Sequence, residues 1–161
     1  MASHFTIRAT TPGDRDWIKP FITDHWGSSV VVAHGTTYFP HDLPGFVAAD
    51  RESYVGLISY RIAEGSCEIV TLDSTRPGLG IGTALIGAVK DKAKKFGCAR
   101  LWLVTTNDNL DALGFYQKRG FVLAKLYRDA VTEARRLKPS IPLYGIESIP
   151  IRDEIELEMM L

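Results

Sequence analysis

Ser74–Phe96, STRPGLGIGTALIGAVKDKAKKF, decides how the chain is read, because a glycine-rich turn runs directly into a helix with one apolar face. Gly78, Gly80 and Gly82 alternate with Leu79 and Ile81. Without Cβ atoms, these positions let the backbone take positive φ and present several N–H groups to one ligand. Ile81, Leu85, Ala88, Val89, Lys92, Ala93 and Phe96 then recur at three- and four-residue steps, and Gly97 stands where a helix C-terminal glycine belongs. The first helical turn directs unpaired donors and a positive dipole end to the same place as the loop, which suits a phosphate or pyrophosphate. Thr83 adds a hydroxyl there. The competing reading is a strand-to-helix turn whose glycines only permit close packing.

Working outward, Phe46-Val47-Ala48-Ala49, Ser53 to Arg61 and Ser66 to Leu72 read as three successive strands separated by turn-like Asp50-Arg51-Glu52 and Glu64-Gly65. An antiparallel meander follows from that spacing. The third strand enters the glycine loop. Beyond the helix, Arg100-Leu101-Trp102-Leu103-Val104-Thr105 is a buried-looking strand, so strand, helix and strand predict a parallel pair with a right-handed crossover. Thr106-Asn107-Asp108-Asn109 is loop or helix-cap material. Leu110, Leu113, Phe115 and Tyr116 belong to a short helix ending near Arg119-Gly120, and residues 121–126 begin another strand. The segment from Asp129 to Lys138 reads as helix with Glu133, Arg135 and Arg136 exposed, stopped by Pro139. The terminal Asp153-Glu154-Ile155-Glu156-Leu157-Glu158 alternates acid with aliphatic, predicting a half-buried strand with its glutamates on the wet face.

At the other end, Phe5-Thr6-Ile7-Arg8 alternates as a strand, and Thr10-Thr11-Pro12-Gly13-Asp14 supplies turn and helix-start chemistry. Trp17, Ile18, Phe21, Ile22, His25 and Trp26 then share one helical face, the tryptophans read as core, and Pro20 is expected to bend or split the helix. Residues 27–44 are irregular. His34 and His41 match no metal-ligand spacing there, and no metal is expected. An apolar, aromatic segment of this kind suits the wall of a substrate pocket.

Composition narrows the function. At 161 residues, with 45% hydrophobic and 24% charged residues, the chain is expected to form a single soluble domain, residues 1–161. Nineteen basic and nineteen acidic residues cancel, so the electrostatic footprint of a nucleic-acid binder is missing and a small-molecule or protein partner is expected. Two cysteines, Cys67 and Cys98, fit reduced thiols in a cytoplasm. MASHFTIRATTPGD lacks an export pattern, and no apolar run reaches membrane-spanning length, so no membrane partner is expected.

The strand ending at Leu72, the RPGLGIGTAL segment, the strand at residues 101–105 and the run Asn109-Leu110-Asp111-Ala112-Leu113-Gly114-Phe115-Tyr116-Gln117-Lys118-Arg119-Gly120-Phe121, with its NxxAxxFYxxxGF pattern, together resemble the GNAT superfamily of acyl-CoA-dependent N-acetyltransferases over residues 45–126. The resemblance implies an α/β (α+β) fold: a mixed, mostly antiparallel central sheet with helices on both faces and a parallel βαβ unit. It implies acetyl-CoA as co-substrate, with its pantetheine arm along Leu72 and its neighbours and its pyrophosphate on Gly78, Leu79, Gly80, Ile81, Gly82 and Thr83. Asn109 matches the family asparagine near the cofactor, and Tyr116 the tyrosine beside its sulfur.

Attack on a thioester needs a neutral amine, yet an amine of pKa about 10.4 is only a few parts in about ten thousand neutral at pH 7. A base is therefore useful, and Glu68, on the strand before the loop, is the first candidate, with Asp73 second. The alternative for Glu68 is a solvent-facing strand residue. Tyr116 is expected to donate a hydrogen bond to the developing thiolate, against the alternative of a core aromatic with its hydroxyl at the surface. The acceptor is expected to be a primary amine on a small molecule, and homodimerisation through a strand edge is open. Two rival readings are weighed. A nucleotide-binding enzyme lacks support because no Gly-Lys-Ser/Thr follows the loop. A non-catalytic acyl-CoA-binding module would keep the cleft without the transfer.

Overall fold

The computed structural model describes residues 4–161; residues 1–3, the start of the segment read above for an export signal, lie outside them. In chain order the elements are β1 (Thr6–Ala9), a 3-10 turn (Pro12–Asp14), α1 (Arg15–Trp26), β2 (Val31–Ala33), β3 (Thr36–Tyr38), a second 3-10 turn (Pro40–Asp42), β4 (Gly45–Asp50), β5 (Ser53–Ala63) and β6 (Ser66–Ser74). Then come α2 (Ile81–Lys95), β7 (Arg100–Thr106), α3 (Leu110–Lys118), β8 (Val122–Tyr127), α4 (Ala130–Leu137), a third 3-10 turn (Ile146–Ser148) and β9 (Glu154–Met160). Seven strands form one mixed sheet with both parallel and antiparallel pairing, and β2 and β3 form a separate hairpin. No helix among the described residues is long and apolar enough to cross a membrane.

Contacts divide the chain into two compact units. The first holds the chain up to Val31, residues 39–101 and Leu161. In it β1, β4, β5 and β6 lie side by side, each antiparallel to the next, so the meander read from the turn residues is present. Val47, Leu57 and Ile58 of the sheet and Leu85, Val89 and Ala93 of α2 are buried there. The α2 stripe ends one turn early: Phe96 is 63% exposed, with Lys92 Nζ 5.2 Å above its ring. Helix termination follows the sequence, with Gly97 at φ +72° and the Cys98 N–H reaching back to the Ala93 carbonyl at 2.9 Å.

α1 is one helix with Pro20 inside it, so of the bend or split expected there the split does not occur; its buried residues are only Ile18 and Ile22, so the tryptophans are not core. Trp26 is at the surface, where its indole N–H donates to Asp73 Oδ2 at 2.8 Å; an indole is large enough to serve as a donor at the rim while its spacing still mimics core. At the other end of α1, Asp14 is buried and accepts hydrogen bonds from three residues. Arg8 donates to both carboxylate oxygens at 2.9 Å, the Thr11 N–H at 2.7 Å and the Trp17 indole at 2.7 Å.

The second unit holds residues 32–38 and 102–160. Here β8 is antiparallel to β9 and the sheet order runs β7, β9, β8. The hairpin of β2 and β3 turns on His34 and Gly35, both at positive φ (+41° and +76°), as a two-residue hairpin turn demands. Arg135 on α4, read as exposed, is half-buried: its guanidinium donates to the carbonyls of Ile141, Pro142 and Ile151, supplying the long proline-punctuated connection with the partners that regular structure would otherwise give. The wet face expected for the terminal strand is also overturned, since Glu154 and Glu156 are buried, 5% and 7% exposed.

Candidate functional site

In the first unit β6 delivers the chain into the glycine turn. Gly78 and Gly80 sit at φ +83° and +81°, a region costly to any residue with a Cβ. A Cβ built on either would meet no atom within 4 Å. The two glycines thus face open space, and close packing does not explain them. Gly82 departs from the sequence reading: it lies in the first turn of α2 in helical conformation, with Ile81 and Thr83 beside it. Gly80 is the residue before the helix, and no side chain caps the N-terminus. An uncapped first turn with its dipole, behind two open glycines, can receive an anion, so the residues present fit a diphosphate.

A different glycine does the close packing. At Gly56 on β5 a Cβ would lie 2.5 Å from Ile81 Cγ2 and 3.1 Å from Leu85 Cδ1, so its lack of a side chain is what lets the start of α2 sit down on the sheet. Sequence reasoning passed over it as one residue in a strand. The same is true of Val70: Tyr60 pairs with Ile69 and Ser59 with Thr71, leaving Val70 as a bulge two residues before Leu72. A bulge frees backbone groups from the ladder and bends the strand, and bulges concentrate beside active sites. No residue type announces one.

Glu68 is 2% exposed, paired across the ladder with Arg61 by Cα register, so the solvent-facing alternative is excluded. Asp73, opposite Leu57, has its carboxyl pushed up by burial, with the Trp26 hydrogen bond and nearby His25 opposing. Leu72 is half-buried, opposite Ile58.

In the second unit Asn109 is the N-cap of α3, its side-chain oxygen accepting the Ala112 N–H at 3.2 Å, as its cap-like context predicts. Tyr116, on α3, is 8% exposed, its ring edge-on to Phe115 (5.2 Å, 90°) and Phe121 (5.3 Å, 76°). The Phe-Tyr pair and the Phe after the helix thus form one aromatic cluster, which anchors α3 and fixes the tyrosine ring.

Comparison with known proteins agrees. The model of the GNAT acetyltransferase family matches residues 15–121, and the chain belongs to that family. It is 42% identical over 144 residues to the uncharacterized protein YxbD of Bacillus subtilis, covering 89% of this chain and 91% of that one. Among solved structures it resembles an IAA acetyltransferase from Bacillus cereus (TM-score 0.74, 19% identity, 98% of this chain and 100% of that one). It also resembles a GNAT family acetyltransferase from Elizabethkingia anophelis with acetyl-CoA bound (TM-score 0.69, 21% identity, 98% of each chain). Enzymes of this family transfer an acyl group from a coenzyme A thioester to a small-molecule or protein acceptor.

Proposed function

We propose that the chain transfers an acetyl group from acetyl-CoA to the primary amine of a small-molecule acceptor, by direct attack of the amine on the thioester. The observation that carries this reading is the pair of open, positive-φ glycines, Gly78 and Gly80, ahead of an uncapped helix N-terminus. When bound, acetyl-CoA supplies the activated acyl group. Residues 78–83 hold its diphosphate through main-chain amides, while Leu72 and its neighbours pair with the pantetheine arm and Asn109 lies near the cofactor. Glu68 takes the proton from the incoming ammonium, directly or through a water, with Asp73 as the second candidate. Tyr116 donates a hydrogen bond to the sulfur as the C–S bond breaks, and a backbone N–H near Leu72 meets the carbonyl oxygen.

The same reading has the chain act as one domain in the cytoplasm, with a homodimer open. Its test is calorimetric titration with acetyl-CoA beside an amine-panel acetylation screen read by mass. Micromolar binding and an acetylated product are expected. No affinity for coenzyme A or its thioesters removes the reading, and binding with silence across the panel replaces it with a non-catalytic acyl-CoA module.

A further inference from the structure

The irregular stretch before β4 ends in the 3-10 turn Pro40–Asp42, and α1 packs against that turn. The turn is closed by the Asp42 N–H on the Phe39 carbonyl at 2.8 Å and the Leu43 N–H on the Pro40 carbonyl at 3.2 Å, with Pro40 buried. A cavity of about 260 Å³ lies there, and its lining includes apolar Pro12, Ile18 and Leu43 beside polar Arg15, His41 and Asp42. All of these residues belong to the first unit, and none is part of the glycine turn. The volume falls below the roughly 300–1,000 Å³ of drug-sized sites, so a small ligand is the match.

His41 is the anomaly in this lining. Its side chain is nine-tenths buried, yet neither ring nitrogen makes a hydrogen bond among the described residues. Nδ1 has no partner, and Nε2 stands 3.7 Å from Asp42 Oδ2, beyond hydrogen-bonding length. Buried polar side-chain atoms are nearly all partnered in folded proteins, and an exception marks a strained site or a place for a ligand, ion or water. No hydrogen bond holds the ring in one orientation. A half-turn about Cβ–Cγ exchanges its nitrogens with carbons inside the same outline, so a ligand can select the orientation that meets it.

Arg15 supplies the complementary donor. Its Nη2 touches Asp42 Oδ1 at 2.8 Å, and that contact leaves the Nε and Nη1 N–H groups without an acceptor among the described residues. A planar guanidinium edge suits a carboxylate, whose two oxygens it can meet at once. A cationic ligand would face the guanidinium, while the carboxylate of Asp42 is already engaged by it. Inorganic phosphate would meet the donors but leave the apolar lining unused.

We propose that this cavity binds a small carboxylic acid as its carboxylate, held by the free edge of Arg15 and a ring nitrogen of His41, with its hydrocarbon part against Pro12, Ile18 and Leu43. The proposal goes beyond the acetyltransferase reading and does not rest on it, since the residues that form this site take no part in that reading.

The test titrates the full chain calorimetrically with isovalerate, its uncharged counterpart isovaleramide, and inorganic phosphate, and follows the imidazole nitrogens by NMR. Isovalerate is expected to bind at least about tenfold more tightly than either of the others. It is also expected to shift the His41 ring resonances, which are assigned by their loss in His41→Phe. Arg15→Gln removes only a half-exposed ion pair from the fold, so it should stay folded, keep its acetyl-CoA affinity and lose about tenfold or more in isovalerate affinity. Arg15→Lys, which keeps the charge without the planar fork, should recover only part of that loss. The proposal is overturned if the parent does not bind isovalerate, or binds isovaleramide or phosphate as tightly. Undiminished affinity in Arg15→Gln, or isovalerate binding that leaves the His41 resonances unmoved, overturns it equally. Isovalerate binding without acetyl-CoA affinity would remove the transferase reading and leave this site standing, and acetyl-CoA binding without isovalerate binding would do the reverse.

Discussion

At the scale of single residues, identity and environment often disagree, and environment decides the chemistry. Glu68 occupies a strand position that sequence alone leaves open to solvent, yet it is 2% exposed. A buried carboxyl on the strand that feeds the glycine loop is the stronger candidate base, and Glu68→Gln should lose the acidic limb of the kcat/KM pH profile; an unchanged profile removes Glu68 from the reaction. Tyr116 packs its ring edge-on against Phe115 and Phe121, contacts that a phenylalanine ring keeps. Tyr116→Phe should keep its acetyl-CoA affinity and lose about tenfold or more in kcat, and undiminished turnover would end its donor role. Cys67 is the inert case: burial pushes its thiol up to about 12, with Cys98 and Glu68 adding to the shift. Its full burial and scarce thiolate make it a packing residue, unreactive at neutral pH.

At the scale of elements, the β6–turn–α2 unit uses glycines for two opposed reasons. Gly80 needs a backbone conformation that side chains resist, while the space around it is open; Gly56 needs the space that a side chain would fill. The two substitutions should separate. Gly56→Ala is expected to destabilise the fold by about 1–3 kcal/mol, because the added methyl group overlaps Ile81 and pushes α2 off the strand. Gly80→Ala costs about 1 kcal/mol through φ alone, and weakens acetyl-CoA binding by a larger factor than stability explains. Denaturant titration beside calorimetry reads both, and equal effects on stability and on binding in the two variants would show that the turn has no ligand role. The terminal strand teaches the matching lesson. Its acid–aliphatic alternation is a sound signal for a strand, and β9 is one, but period two says only that there are two faces and leaves open whether either is wet.

At the scale of the whole molecule, nineteen positive and nineteen negative side chains cancel, so stability depends on where charges sit more than on how many there are. Asp14 is held well below the usual carboxylate range, first by its hydrogen bonds with Arg8 against the cost of burial, then by Trp17 and Thr11. Asp153 is lowered in the same direction by Arg152. For a carboxyl depressed on folding, the stabilisation is full above the unfolded pKa near 3.9 and is lost as pH falls toward the folded value. Asp73 has the opposite sign, because its raised pKa makes its ionised form a liability that protonation relieves. Asp14→Asn should cost about 3 kcal/mol at pH 7, a figure already discounted for the half-exposed Arg8, and the gap from the parent should shrink below about pH 4. A gap that stays constant down to pH 2.5 would show that Asp14 is not depressed. By itself the sequence determined the class of fold, the meander, the glycine turn with its helix, Asn109 as a cap and the family, because these rest on local periodicity, turn chemistry and residue spacing. Only the tertiary structure decided that Gly56 and not Gly78 is the packing glycine, that Val70 bulges, that Trp26 lies outside the core and that Glu68, Glu154 and Glu156 are inside. Those outcomes depend on what covers each face, and burial is set by chain segments distant in sequence, as when His34 reaches Glu154 across 120 residues.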